Sequence, residues 1–335
     1  MVLSGCEKLF FKEDIKNNVQ NNFMVFWNDF DRYYPFFEIK NIDWDSVYDH
    51  YSPMITDQTT ELQLFQIFSE MIKPLNDGHV TVISRFGTAQ SYQHMDILDS
   101  YYYYMSLYDT KYFEAFSYNN NNINYYNLIN YNIGYFHINS FNLNDGGLLP
   151  MSSSSYLIID EILQKFKDKD GIIIDIRWNT GGLIPNSETI ACRFTDQKRL
   201  YAKLRSKNGP AKNDFSDWTD YYFEPKGVYQ FTKPVVILTS RLTGSASEWF
   251  ILAMKTLPNV TVVGDTTNGS FSYSLMRELP NGWSFSLSTE IIATPDMKIY
   301  EGVGIPPDEV VVNSQNDFDN RNDIMLMKAI DILKD

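Results

Sequence analysis

Ser245 stands at the junction between an apolar run, Val235 to Thr239, and an amphipathic run that begins at Glu248, in the order Gly244-Ser245-Ala246-Ser247-Glu248. A serine placed there has a helix N-terminus behind it, so free backbone N–H groups and the positive end of the helix dipole flank its hydroxyl. An attacking alkoxide and a developing oxyanion need that environment, which makes Ser245 a candidate hydrolase nucleophile. The plainer reading is that Ser245 and Glu248 form an S-x-x-E capping box that only starts the helix.

Acyl transfer also needs a base, a group that orients the base, and N–H donors for the oxyanion. Of the four histidines, His79 sits in Asp77-Gly-His79, where a turn at a strand start could expose its ring; His50, His94 and His137 lie in ordinary aromatic contexts. A lone histidine is more often structural. Asp175-Ile-Arg-Trp-Asn-Thr-Gly-Gly182 follows a buried apolar strand, and its Gly181-Gly182 pair lets backbone N–H groups face a cleft. Without a ligand the same string is a tight strand-to-helix turn. Glu301-Gly-Val-Gly-Ile-Pro-Pro-Asp308 offers a carboxylate in a glycine-rich loop, or else a solvated turn. Ser247, inside the expected helix, and Ser270, in a glycine-flanked loop, read as secondary polar groups.

The elements that must position these residues follow from periodicity. Phe23, Val25, Phe26, Phe30, Tyr33 and Tyr34, then residues 61–72, repeat at helical spacing and predict a small helical unit. A turn at 74–79 leads into a β-branched strand ending at Ile83. Residues 86–130 are rich in Tyr and Asn, with Tyr101 to Tyr104 and Asn119 to Asn122 consecutive, and read as strands joined by a long surface loop. From Ile133 strand and helix alternate: strands at 133–138, 171–176, 235–239 and 260–263, helices at 156–166, from Glu188 to Cys192, at 248–257 and at 324–333. Continuous apolar strands alternating with helices predict a mostly parallel sheet covered on both faces. Residues 284–291 alternate strictly and read as a half-exposed strand.

With 335 residues the chain can bury one large α/β core with a smaller appended unit. A formal charge of −14 argues against a nucleic-acid partner. Two cysteines, Cys6 and Cys192, supply neither a disulfide framework nor a cysteine zinc site. Met1-Val-Leu-Ser-Gly-Cys6 resembles the lipobox of a bacterial lipoprotein, which would lipidate Cys6, attach the protein to a membrane and place it in the cell envelope, although no basic and apolar leader precedes it. The alternative is an ordinary N-terminal tail.

Five blocks in order, Leu75 to His79, Asp175 to Gly182, Ser245 to Glu248, Gly264 to Thr267 and Glu301 to Asp308, resemble the motifs of the C-terminal-processing (tail-specific) serine peptidases and their relatives, the tricorn core protease and the interphotoreceptor retinoid-binding repeats. The resemblance spans residues 23–312. It implies an α/β fold with a crotonase/Clp-protease-like core and a mostly parallel sheet, an N-terminal helical subdomain and β-rich elements. The implied division is a lipobox-like tether over 1–22, the helical subdomain over 23–85 and the catalytic core over 86–335. In the tail-specific branch the base is a lysine, whose position here is Ser270, and the associated glutamine falls on Ser274, so the serine–lysine dyad is missing. The tricorn-like branch uses a histidine and a later glutamate, which map onto His79 and Glu301. The peptide-binding PDZ module of the tail-specific branch has no counterpart between the histidine block and the next core strand.

The resemblance therefore implies a serine endopeptidase acting on protein or peptide substrates without metal or cofactor. Ser245 would attack the carbonyl, His79 would take and return the proton, and Glu301 would hold the imidazole tautomer. Ala246 with Gly181 or Gly182 would stabilise the oxyanion, while Asp77 and Arg177 would brace their loops. Three rival readings stay open: an apolar-ligand-binding protein without proteolysis, a thioester enzyme of the crotonase type, and an inactive peptidase-like scaffold.

Overall fold

The computed structural model describes residues 15–92, 111–113, 117–118, 123–142 and 153–334, with side chains described from residue 158 onward in the helix that starts at 153. The lipobox-like string with Cys6, most of the 1–22 tether, His94 and the Tyr101 to Tyr104 and Asn119 to Asn122 runs lie outside the described residues. The chain divides into two compact units. The first comprises residues 1–93 with two later segments, Arg205–Trp218 and Ser272–Ile291; the second comprises 94–204, 219–271 and 292–335.

In the first unit three helices, Val19–Tyr33, Glu61–Ile72 and the shorter Trp44–Tyr51, accompany a four-stranded antiparallel sheet. The sheet order is 274–278, 284–288, 81–84, 87–90. Helix 19–33 starts where the Asn18 side chain accepts the N–H of Asn21 at 2.8 Å. Helix 61–72 starts in a reciprocal box in which Thr60 N–H donates to Gln63 and Gln63 N–H donates to Thr60. Phe23, Phe26 and Phe30 share one face of the first helix and are fully buried. Phe26 stacks on Phe68 at 4.1 Å and meets Phe285 of the sheet at 5.1 Å, so helices and sheet share one aromatic core. Truncating Phe26 to alanine would cost about 3–5 kcal/mol.

The second unit holds a seven-stranded sheet in the order 309–310, 260–264, 235–239, 171–175, 133–138, 123–127, 117–118. The first five strands run parallel and the last two antiparallel. The run Ile172-Ile173-Ile174 is buried throughout because both faces are covered. Ile172 and Ile174 join the cluster with Ile162 and Trp249, whereas Ile173 joins Val236, Leu326 and Ile330. Helix 184–191 begins four residues before the Glu188 expected from periodicity. Pro185 occupies its first turn, where a missing N–H costs nothing. Among the described residues no helix is long and apolar enough to cross a membrane.

Candidate active site

Three loops of the second unit leave the carboxyl ends of adjacent parallel strands: 176–183 after strand 171–175, 240–245 after 235–239, and 265–271 after 260–264. Ligand sites of open α/β sheets form at such strand ends.

Ser245 caps helix 246–254 with φ 53° and ψ −123°. A non-glycine residue in that region stores about 1–3 kcal/mol of strain and persists only where its surroundings hold it. Those surroundings are hydrogen-bonded from both neighbouring loops. Gly244 N–H and Ser247 Oγ donate to the Asn179 carbonyl at 3.2 and 2.9 Å, Thr243 Oγ1 donates to the Ile176 carbonyl at 2.9 Å, and Asn268 N–H donates to the Thr243 carbonyl at 2.8 Å.

Glu248 is fully buried, and its carboxylate gathers four donors: Ser245 N–H at 3.1 Å, Thr267 Oγ1 at 2.5 Å, Gly269 N–H at 2.7 Å and Ser270 N–H at 2.8 Å. Burial pushes its carboxyl up to about 7, against the lowering effect of these four hydrogen bonds. Capping explains only one of the four. Thr267 Oγ1 in turn accepts Ile305 N–H at 2.7 Å, which ties the 265–271 loop to the loop that carries Glu301.

Glu301 is buried, and its Oε2 accepts Phe271 N–H at 2.8 Å. The glycines around it permit close backbone contact. A Cβ on Gly304 would lie 2.2 Å from the Thr267 carbonyl oxygen, and one on Gly269 would lie 2.8 Å from Val303 N. Ser270, where a lysine base would stand, donates its hydroxyl to Asn268 Oδ1 at 2.5 Å.

Gly181 and Gly182 both have positive φ, 118° and 139°. Gly181 touches the serine turn: a Cβ there would fall 2.6 Å from Ser245 Cβ and 3.1 Å from Ala246 N. Its own N–H is committed to Asn179 Oδ1 at 2.9 Å, while the N–H of Gly182 has no acceptor among the described residues. Ala246 is the first residue of its helix, so its N–H has no intrahelical acceptor. Arg177 is buried between two carboxylates, with Nε on Asp175 at 3.0 Å and Nη1 and Nη2 on Asp323 at 2.9 Å.

His79 and Asp77 belong to the first unit. Asn76 turns the chain at φ 42°, and Asp77 Oδ1 then accepts His79 N–H at 2.8 Å, so this carboxylate shapes the turn rather than holding the ring. Ser288 Oγ donates to Asp77 at 2.9 Å and Ser286 Oγ to the His79 carbonyl at 2.7 Å. His79 Nδ1 is buried with no hydrogen-bond partner among the described residues. Burial lowers the imidazole below its usual range, with Asp77 opposing.

Three residues without an assigned role in the sequence reading, Asn179, Thr267 and Glu248 beyond its cap, hold the serine turn together. Each stood inside a recognised block, so the signal was present without a function attached. Among the described residues no group of three or more His, Cys, Asp or Glu is placed to hold a metal ion.

Residues 132–311 match the model of peptidase family S41, and residues 15–73 match the tricorn protease C1 domain. The carboxy-terminal processing protease CtpB of Bacillus subtilis is 27% identical over 166 residues, covering 50% of this chain and 32% of that protein. The chain spans less than half the length of the curated relatives it matches. A peptidase structure from Parabacteroides merdae, itself described only as putative, superposes with a TM-score of 0.79 at 31% identity, covering 95% of this chain and 97% of that one. Mature CPAF shares the fold with a TM-score of 0.68 at 11% identity over 95% of this chain and 96% of its own.

Proposed function

The chain belongs to peptidase family S41, and from that premise we propose that it is a serine endopeptidase whose nucleophile is Ser245. The observation that carries this reading is the strained Ser245 backbone at φ 53°, held at a helix N-terminus beside Gly181. In the proposed reaction His79 takes the proton of Ser245 Oγ as the oxygen attacks the peptide carbonyl carbon. The carbonyl oxygen becomes an oxyanion, which accepts from the N–H groups of Ala246 and Gly182. Gly182 is preferred over Gly181 because the Gly181 N–H is committed to Asn179. The tetrahedral intermediate collapses, the C–N bond breaks, and His79 returns the proton to the leaving amine. Water, deprotonated by the same imidazole, then hydrolyses the acyl-serine.

Burial lowers the His79 imidazole below its usual range, which favours the unprotonated ring that can accept a proton at neutral pH. Glu301 is assigned to orient the imidazole, on the motif order and on its burial. Substrates are proteins or peptides. Envelope attachment through an acylated Cys6 is a further part of the proposal; it rests on the Leu3-Ser4-Gly5-Cys6 string, and mass spectrometry of the mature N-terminus would test it.

Fluorophosphonate labelling with peptide mapping tests the central claim. Label on Ser245 alone, lost in Ser245→Ala and reduced by about 10²–10⁴ in rate in His79→Ala, supports it. An unlabelled protein, or labelling indifferent to both substitutions, would favour an apolar-ligand-binding or scaffold role on the same fold.

A further inference from the structure

Within the first unit a cavity of about 680 Å³ is lined by residues from the segment 31–45 and from the segment 205–215, together with Ile291. Two of its half-buried charged side chains have no hydrogen bond or ion pair among the described residues. The side chain of Arg205 makes no hydrogen bond or ion pair with any described residue, and its Nε is buried. Its guanidinium lies over the rings of Phe215 and Trp218, 4.3 and 4.8 Å from their centroids, which fixes its plane without neutralising its charge. The side chain of Asp31, half-buried on helix 19–33, likewise has no hydrogen bond or ion pair among the described residues. Burial raises its carboxyl, Asp45 adds to that, and Lys207 opposes it.

The other charges of the cavity are either solvated or committed: Glu38, Asp45 and Lys212 are exposed, while Asp43 and Lys207 have partners. Asp43 caps the helix 44–51 through Ser46 N–H and Oγ, at 3.2 and 2.7 Å. The Lys207 amine donates to the carbonyls of Gly209 and Ala211, at 2.5 and 2.7 Å. Elsewhere this chain pairs its buried arginines: Arg193 meets Asp160, and Arg177 meets Asp175 and Asp323. An arginine and an aspartate that line one cavity without meeting each other depart from that habit. A buried polar atom without a partner costs about 1–3 kcal/mol, which falls on Arg205 Nε, while the carboxylate of Asp31 is half-buried and only partly solvated.

We propose that this cavity binds a small zwitterion of the amino-acid class, a free amino acid or a short peptide. Its carboxylate sits on Arg205 and its ammonium on Asp31, with the apolar part against the lining rings of Phe37 and Phe215. A purely anionic ligand would leave Asp31 uncompensated, and a purely cationic one would leave Arg205 so; one dipolar ligand satisfies both. The volume lies inside the range of about 300–1,000 Å³ that small-ligand sites occupy. The inference stands apart from the catalytic reading, since it uses none of the residues assigned to turnover.

The test is isothermal titration calorimetry on the full chain carrying Ser245→Ala, so that nothing is hydrolysed. The probes are free phenylalanine, alanyl-alanyl-phenylalanine, and that tripeptide N-acetylated or C-amidated. Saturable binding of at least one zwitterion, weakened roughly tenfold or more by either cap, is expected. The amino acid and the tripeptide separate the two possible sources of the zwitterion. Arg205→Gln should remove the penalty of amidation and Asp31→Asn the penalty of acetylation, while Arg205→Lys retains part of the affinity. The proposal fails if neither zwitterion saturates, if capped and uncapped peptides bind alike, or if binding ignores both substitutions. The capped ligands probe the unaltered cavity, so the test survives a variant that does not fold.

Discussion

The backbone N–H of Ser245 donates to the carboxylate of Glu248 at 3.1 Å, and that same carboxylate receives the N–H groups of Gly269 and Ser270. One buried side chain therefore sets both the strained serine turn and the loop that follows strand 260–264. The loop hands the constraint on, since Phe271 N–H donates to Glu301.

Replacing Glu248 with glutamine keeps the shape but turns an NH₂ toward backbone donors that need an acceptor. A displacement of about 1 Å at a reacting atom costs on the order of 10²-fold in rate. Glu248→Gln should lower kcat by that order with KM little changed, and should lower Tm because buried donors lose their partner. Steady-state kinetics on a peptide substrate and a thermal melt check both. A variant with the kcat and Tm of the parent protein would mean that the serine turn holds itself.

Linkage gives Glu248 a second signature. Its folded-state carboxyl, at about 7, lies above the ordinary 4.5, so the native protein binds this proton more tightly than the unfolded chain does. The stabilisation is complete below pH 4.5 and is lost as pH rises through 7, at up to about 1.4 kcal/mol per unit. His79 runs the other way. Its imidazole is lowered beneath 6.5, so its contribution is present above 6.5 and is lost as pH falls through the folded value. Urea titrations from pH 4.5 to 8 should show a declining component that Glu248→Gln abolishes and His79→Gln does not. If His79 is the base, the acid limb of kcat/KM should fall below pH 6.5.

Gly181 offers a steric test. A Cβ there would meet Ser245 Cβ at 2.6 Å, on a backbone whose φ of 118° already disfavours alanine. Gly181→Ala should slow fluorophosphonate labelling of Ser245 by about 10²-fold or more while the far-ultraviolet spectrum is retained. Labelling at the parent rate would show that the 176–183 loop can retreat from the serine.

Much of the second unit was legible because its signals are local. The strands at 133–138 and 235–239 fall where the apolar runs predict, since strands covered on both faces need no alternation to be recognised. The first unit was less legible. Its sheet pairs Thr81 with Ser286, and no short-range pattern announces a partner 205 residues away. The hairpin of 199–206 with 219–223 escaped for a different reason: its half-exposed, charge-bearing strands carry no continuous apolar run to mark them. Ser245 stood out as a candidate only through the order of the five blocks, because a serine before a helix is by itself an ordinary cap. Glu248 was half hidden, because the capping box accounts for the S-x-x-E spacing and leaves no reason to look for acceptors of Thr267 and Gly269.

Arg177 supports the site from beneath, and its removal should be felt globally. Its guanidinium lies between Asp175 at the end of strand 171–175 and Asp323 at the start of helix 324–334, and all three are buried. Burial alone would raise Asp175, but the charge and hydrogen bonds of Arg177 outweigh it and hold the carboxyl below its usual range. Arg177→Met would leave two buried carboxylates facing each other, which should cost about 3–5 kcal/mol in urea unfolding. Asp323→Asn in the same background removes one of the two stranded charges and should recover part of that loss, because the two substitutions share one network. Asp323 also accepts Asn313 Nδ2 at 3.2 Å and Leu326 N–H at 3.1 Å, so the recovery is expected to be incomplete. Strict additivity of the two single losses would show that Arg177 acts through packing of its stem rather than as the counter-charge of this triad.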